Sequence, residues 1–292
     1  MRGRVAINLL RGFCFRDFEQ SHPSCFTSGE VESLRCEITV RCVGAGVCGF
    51  DGGVQKRDMK KTFLLFFLAL VARAYAAQSD LPPLYTVTVD SHRCLVLEPD
   101  HLPQNAPLVV LLHGAHGSAT NLIYLWSELH LTPARVACPD GRLFLDGKGF
   151  GWYHKENQSD IVQSRDYLLK LVQRLGPKRP VIFAGFSQGG VMSIVTGLHC
   201  PNKVLAIVSM SGYVPNPAEN LRDLKAPRSV PILMVHGQMD ETIPIADARF
   251  GETSLNAQGY HPVFKTFVMG HSISQASLNS VRDFLTEVLP KN

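Results

Sequence analysis

The chain reads as an α/β protein with a mostly parallel central sheet, helices on both sheet faces and an N-terminal hairpin. Three observations predict this. Strand-like and helix-like patterns alternate along residues 78–292, as crossover connections in a parallel sheet require. Several strand-like runs are continuously apolar, LVVLL at 108–112 being the clearest, which suits strands buried on both faces. Two short runs at the start, Tyr85–Val89 and Cys94–Leu97, are joined by only Asp90 to Arg93, a hairpin spacing.

The remaining elements follow in order. Leu108–Leu112 ends in His113-Gly114, and Arg135–Cys138 is closed by Pro139-Asp140-Gly141. Residues 141–159 are rich in glycine and aromatics and read as a long loop. A helix follows, with Asp160 as the expected N-cap and Gln163 completing a capping box. Ile161, Leu168, Leu171, Val172 and Leu175 recur at helical spacing until Gly176-Pro177. Val181–Ala184 is the next strand, then a helix over Val191–His199, then strands over Val204–Met210, Ile232–Val235 and Val263–Val268. Leu278, Val281, Phe284, Leu285 and Val288 mark one face of a closing helix.

The first 77 residues differ from the rest. They carry 11 Lys+Arg against 7 Asp+Glu, whereas residues 78–292 carry 18 of each. The expected folded part is therefore neutral and has no basic stripe for nucleic acid. Residues 59–77, MKKTFLLFFLALVARAYAA, combine a positive start at Lys60 and Lys61, a short apolar run and an Ala74-Tyr75-Ala76 cleavage pattern. The apolar run is about half the roughly 20 residues that span a bilayer. The segment is expected to be a cleaved export signal, leaving no membrane span and placing the protein in a bacterial periplasm or outside the cell. Residues 1–58 precede it and hold five of the eight cysteines with no sustained periodicity, so they are expected to lie outside the working protein, with translation starting at Met59. The remaining Cys94, Cys138 and Cys200 could form one disulfide at most; Cys138 and Cys200 read as small buried apolar residues.

The chemistry centres on GFSQG at 185–189, a G-x-S-x-G pattern between an apolar strand and a helix. That context makes Ser187 the candidate nucleophile at a sharp strand-to-helix turn. A serine hydroxyl needs a base, and the base needs an orienting carboxylate. In this arrangement the acid and then the histidine follow the serine along the chain. Asp240 lies after the Ile232–Val235 strand and His271 after the Val263–Val268 strand, both past strand ends at the same sheet edge as Ser187. Glu241 competes with Asp240 as the acid. His236 is expected to make local hydrogen bonds, and His261 falls at the opposite edge.

Acyl transfer also needs donors for a developing oxyanion. The backbone N–H of Gln188 is one candidate. Ala115, in the His113-Gly114-Ala115-His116-Gly117 loop, is the other, with His116 next. His113 and His116, three apart with no nearby acid or cysteine, make a poor zinc set, so no metal is expected.

These residues resemble the phospholipase/carboxylesterase family of α/β-hydrolases, the group that contains acyl-protein thioesterases. The resemblance runs from about Pro107 to Pro290 and rests on GFSQGG, on HG-x-x-D at 236–240, on MGHSIS at 269–274 and on the Trp152-Tyr153 pair. It implies a Ser187, Asp240, His271 triad, oxyanion amides at Ala115 and Gln188, and no metal or organic cofactor. HGAHG departs from the family's usual HG-x-G-D. The expected activity is hydrolysis of small carboxylic esters or thioesters. Lysophospholipase, peptidase and non-catalytic binding roles are the alternatives. Phe150, Trp152, Tyr153 and Met239 are the expected substrate-contacting residues.

Overall fold

Continuously apolar strands bury all their side chains only in a sheet covered on both faces, and the computed structural model has that form. It describes residues 83–289 apart from residues 130, 132 and 156. The proposed signal segment and the preceding extension lie outside the described residues.

Eight strands form the main sheet: β1 (Leu84–Val89), β2 (His92–Leu97), β3 (Leu108–Leu112), β4 (Arg135–Pro139), β7 (Val181–Phe186), β8 (Val204–Met210), β9 (Ile232–Gly237) and β10 (Val263–Phe267). Their spatial order is β1-β2-β4-β3-β7-β8-β9-β10. β2 runs antiparallel to both neighbours, and the pairs from β4 to β10 are parallel. The expected N-terminal hairpin is thus β1–β2, turned at Asp90 and Ser91, both with positive φ. Parallel strands bring their C-terminal ends to one edge, and the loops after β3, β7, β9 and β10 gather there.

Side chains alternate between two cores. On one face Val110, Leu112, Phe183 and Ile207 pack under α2 (Gln158–Leu175) and α3 (Gln188–His199). On the other, Val109, Leu111, Ile182 and Val208 pack with Trp126 of α1 (Leu125–Glu128) and with Val281, Phe284 and Leu285 of α6 (Gln275–Val288). Each fully buried aliphatic side chain contributes about 1.5–3 kcal/mol. Two further helices, α4 (Pro217–Asn220) and α5 (Ile245–Ala257), complete the order. The five apolar residues predicted to face inward from α2 are all buried. Cys94, Cys138 and Cys200 are buried and unlinked.

Two sequence expectations change. The 141–159 segment is not one loop, because Leu143–Leu145 (β5) and Gly149–Gly151 (β6) pair antiparallel. Asp146 and Gly147 turn this hairpin with φ of 48° and 67°, so Asp-Gly here is a hairpin turn signal. The N-cap of α2 is Asn157, one turn before Asp160. Its side chain accepts the Asp160 N–H at 3.2 Å. Asp160 is held inside the first turn instead, where its carboxylate takes the His154 ring at 2.9 Å.

Candidate active site

The backbone at Ser187 is bent into a conformation that side chains seldom adopt, with φ 56° and ψ −122°. Such strain costs about 1–3 kcal/mol and has to be imposed by the surroundings. Gly185 and Gly189 allow it. A Cβ on Gly185 would sit 2.3 Å from the Gly189 carbonyl oxygen, and one on Gly189 would sit 1.9 Å from that of Leu112. The Ser187 N–H donates to the Met210 carbonyl at 2.9 Å, tying the turn to β8. Ser187 therefore stands at the sheet edge as the N-cap of α3.

Asp240 and His271 reach Ser187 from the ends of β9 and β10, which lie beyond β8 in the sheet. The His271 Nε2 is 2.9 Å from the Ser187 Oγ, and its Nδ1 is 2.8 Å from the Asp240 Oδ2. Beside the carboxylate, Nδ1 carries the ring proton, which leaves Nε2 free to accept from the serine hydroxyl. Asp240 is fully held: its Oδ1 accepts the Thr242 and Ile243 N–H groups at 3.0 and 2.9 Å. Burial pushes the Asp240 carboxyl up, but the Ile243 amide and the His271 ring outweigh it and hold the pKa below the usual carboxylate value. Glu241 is exposed. His236 donates from Nε2 to the Ile243 carbonyl at 2.8 Å, and His261 is exposed just before β10.

The loop after β3 closes the other side. A Cβ on Gly114 would lie 3.3 Å from that of Ser187, so this backbone runs directly beside the nucleophile position. Among the described residues, neither the Ala115 nor the Gln188 N–H has a protein acceptor. The loop is pinned at several points. Asp140 accepts the Ala119 N–H at 2.7 Å and is paired with Arg93 at 2.8 Å. His113 donates from Nδ1 to the Gly114 carbonyl at 2.7 Å and accepts the Gly141 N–H on Nε2 at 2.9 Å. That assignment requires a neutral ring, and burial lowers the His113 pKa. His113 is thus a loop strut, while His116 is exposed with φ 59°. Among the described residues no group of three or more histidine, cysteine or acidic side chains could hold a metal.

The four residues expected to contact substrate divide. Met239 is 59% exposed beside Asp240, whereas Trp152 is 0% and Tyr153 4% exposed. Phe150 is partly exposed on β6 and packs edge-on to Phe144, with ring centroids 5.4 Å apart. Trp152 spends its indole N–H on the His113 carbonyl at 2.8 Å, and its complete burial leaves no ring face open to solvent. Its burial was not visible in the sequence, because the partner that draws it inward lies far away in the chain.

A sheet of this order, with a strained serine at a strand–helix turn and an aspartate-bound histidine beside it, defines an α/β-hydrolase. The chain belongs to the phospholipase/carboxylesterase family, whose sequence profile matches residues 94–289. It is 32% identical over 165 residues to acyl-protein thioesterase 1 of Neurospora crassa, covering 50% of this chain and 63% of that protein. It is also 32% identical over 144 residues to acyl-protein thioesterase 1 of Gibberella zeae, covering 46% and 61%. The matched part thus spans less than two thirds of either relative. The crystal structure of esterase PE8 superposes with a TM-score of 0.59 at 25% identity, covering 66% of this chain and 97% of that one.

Proposed function

We propose that the protein is a serine hydrolase that cleaves small carboxylic esters or thioesters through an acyl-enzyme. The observation that carries this reading is the unbroken hydrogen-bonded line from Asp240 through His271 to Ser187. His271 takes the hydroxyl proton as the Ser187 Oγ attacks the substrate carbonyl. The N–H groups of Ala115 and Gln188 stabilise the oxyanion, each donor being worth roughly 2.7–4 kcal/mol in the transition state. His271 then protonates the departing alcohol or thiol. Water, deprotonated by the same ring, releases the acid. Asp240 keeps the imidazole in the tautomer that the first step needs.

Exposed Met239, together with Phe144 and Phe150 on the β5–β6 hairpin, supports an apolar acyl or alcohol group as the substrate side. Export stands as part of this proposal and is supported by the Met59–Ala77 segment. N-terminal sequencing of the native protein tests it: a start at Ala77 or Gln78 agrees, and one near Met1 refutes it. The activity is tested with a fluorophosphonate probe and a panel of p-nitrophenyl esters and acyl thioesters. Labelling at Ser187 with turnover of at least one class is expected. An unlabelled serine in folded protein would remove the reading.

A further inference from the structure

The two amides proposed for the oxyanion lie on separate elements. Gln188 opens α3, and Ala115 belongs to the loop after β3. Neither element alone sets the gap between them. A line of hydrogen bonds spans it, and Trp152 stands at its centre.

The Gln188 carboxamide lies along the backbone of residues 152 and 153. Its Oε1 accepts the Trp152 N–H at 3.0 Å, and its Nε2 donates to the Tyr153 carbonyl at 2.9 Å. The Trp152 indole N–H then donates at 2.8 Å to the carbonyl of His113, two residues before Ala115. The remaining polar group of Trp152, its carbonyl, accepts from the Ser164 hydroxyl at 2.6 Å, which anchors it to α2. The indole also packs on the His113 ring, with centroids 5.1 Å apart. All three polar groups of a fully buried residue are thus used inside the protein, two of them on the segments that carry the amides.

Oxyanion donors act only when they are in place before the reaction, and about 1 Å of misplacement can cost roughly 10²-fold in rate. We propose that Trp152 is a positioning residue that sets the spacing of the Ala115 and Gln188 amides, gripping the Gln188 carboxamide on one side and the His113 carbonyl on the other. This rests on the serine hydrolase reading above. It gives Trp152 a function without substrate contact.

Trp152→Phe tests it, because phenylalanine keeps an aromatic ring in the site and removes the indole N–H. The readouts are kcat and KM on a p-nitrophenyl ester, per active site counted by fluorophosphonate labelling, with Tm alongside. A further readout is the affinity for a trifluoromethyl ketone, which forms an oxyanion on the serine. The expected result is a fall in kcat of about 10- to 10²-fold with KM within about twofold, and a parallel loss of ketone affinity. A raised KM at unchanged kcat would make Trp152 a substrate wall and overturn the proposal. So would a lower Tm at unchanged kcat per labelled site. If Trp152→Phe does not fold, Gln188→Met removes the two carboxamide bonds and keeps the backbone amide. The same split is then expected, and unchanged kcat overturns the proposal. Wild-type protein that takes no label at Ser187 would overturn the hydrolase reading and the proposal together, whereas the variant outcomes bear on the positioning role alone.

Discussion

The Ser187 hydroxyl and the His271 Nε2 lie 2.9 Å apart, although 84 residues separate them in the chain. The strained turn after β7 and the loop after β10, three strands along the sheet, make that meeting. Ser187→Ala removes the hydroxyl and changes nothing else in the core. Turnover of a p-nitrophenyl ester is expected to fall by at least about 10³-fold with Tm unchanged within a few degrees. Steady-state kinetics and a melting curve check both parts together.

Asp240 holds the His271 tautomer. Asp240→Asn offers an N–H or a neutral oxygen where the carboxylate stood, and kcat is expected to drop on the order of 10⁴-fold. The wild-type carboxyl has its pKa below the usual value, so its contribution to stability is complete above the unfolded pKa of about 3.9 and is lost as pH falls through the lower folded value. Denaturant titrations from pH 6 to pH 3 should therefore show the wild type losing stability relative to Asp240→Asn only at the acid end.

His113 predicts a second pH effect, nearer neutrality. Its buried ring is neutral in the fold and has a lowered pKa, so the unfolded chain binds a proton first. Stability should decline as pH falls below about 6.5 and level off once the folded value is passed. His92 and His199 are also lowered and add to the same slope. In His113→Gln the decline between pH 7 and pH 5 should be shallower, as followed by urea midpoints.

Asp140 pins the loop of Ala115 through the Ala119 N–H. Asp140→Ala leaves that amide without its acceptor and Arg93 without its partner. The expected cost is about 1–3 kcal/mol in urea unfolding, together with a lower kcat. The Arg93 side is 46% exposed, so Arg93→Ala should cost about 1 kcal/mol or less.

Gly189 has no room for any side chain, since a Cβ would fall 1.9 Å from the Leu112 carbonyl oxygen. Gly189→Ala is expected to cost more than about 4 kcal/mol and to yield little soluble protein. Gly147 has nothing within 4 Å and only its positive φ to oppose alanine, so Gly147→Ala should lose about 1 kcal/mol. Expression yield and melting temperature of the two variants check the contrast.

Much of the fold was legible because parallel strands buried on both faces write themselves as apolar runs. Leu108–Leu112 and Val204–Met210 keep their predicted bounds. The positions of Ser187 and Asp240 were legible for a related reason, since each follows such a run; His271 follows the half-buried edge strand β10, and parallel topology sends all three to one edge. Less was legible between 141 and 159. The Asp146-Gly147 signal was present, but its flanking strands are only three residues each and carry no clear period. Asn157 and Asp160 are both competent caps, and local chemistry does not choose between them. The burial of Trp152 depends on a carbonyl at His113, a contact that no local pattern encodes.

Cys94 and Cys138 sit on neighbouring strands, yet one belongs to the core under α2 and the other to the core under α6. The sheet itself stands between the sulfurs, and burial raises the pKa of both thiols. They can neither find one another nor ionise readily to attack an outside disulfide. Cys200 is buried too, and burial pushes its thiol up to about 11, so the domain should ripen equally in dithiothreitol or in air.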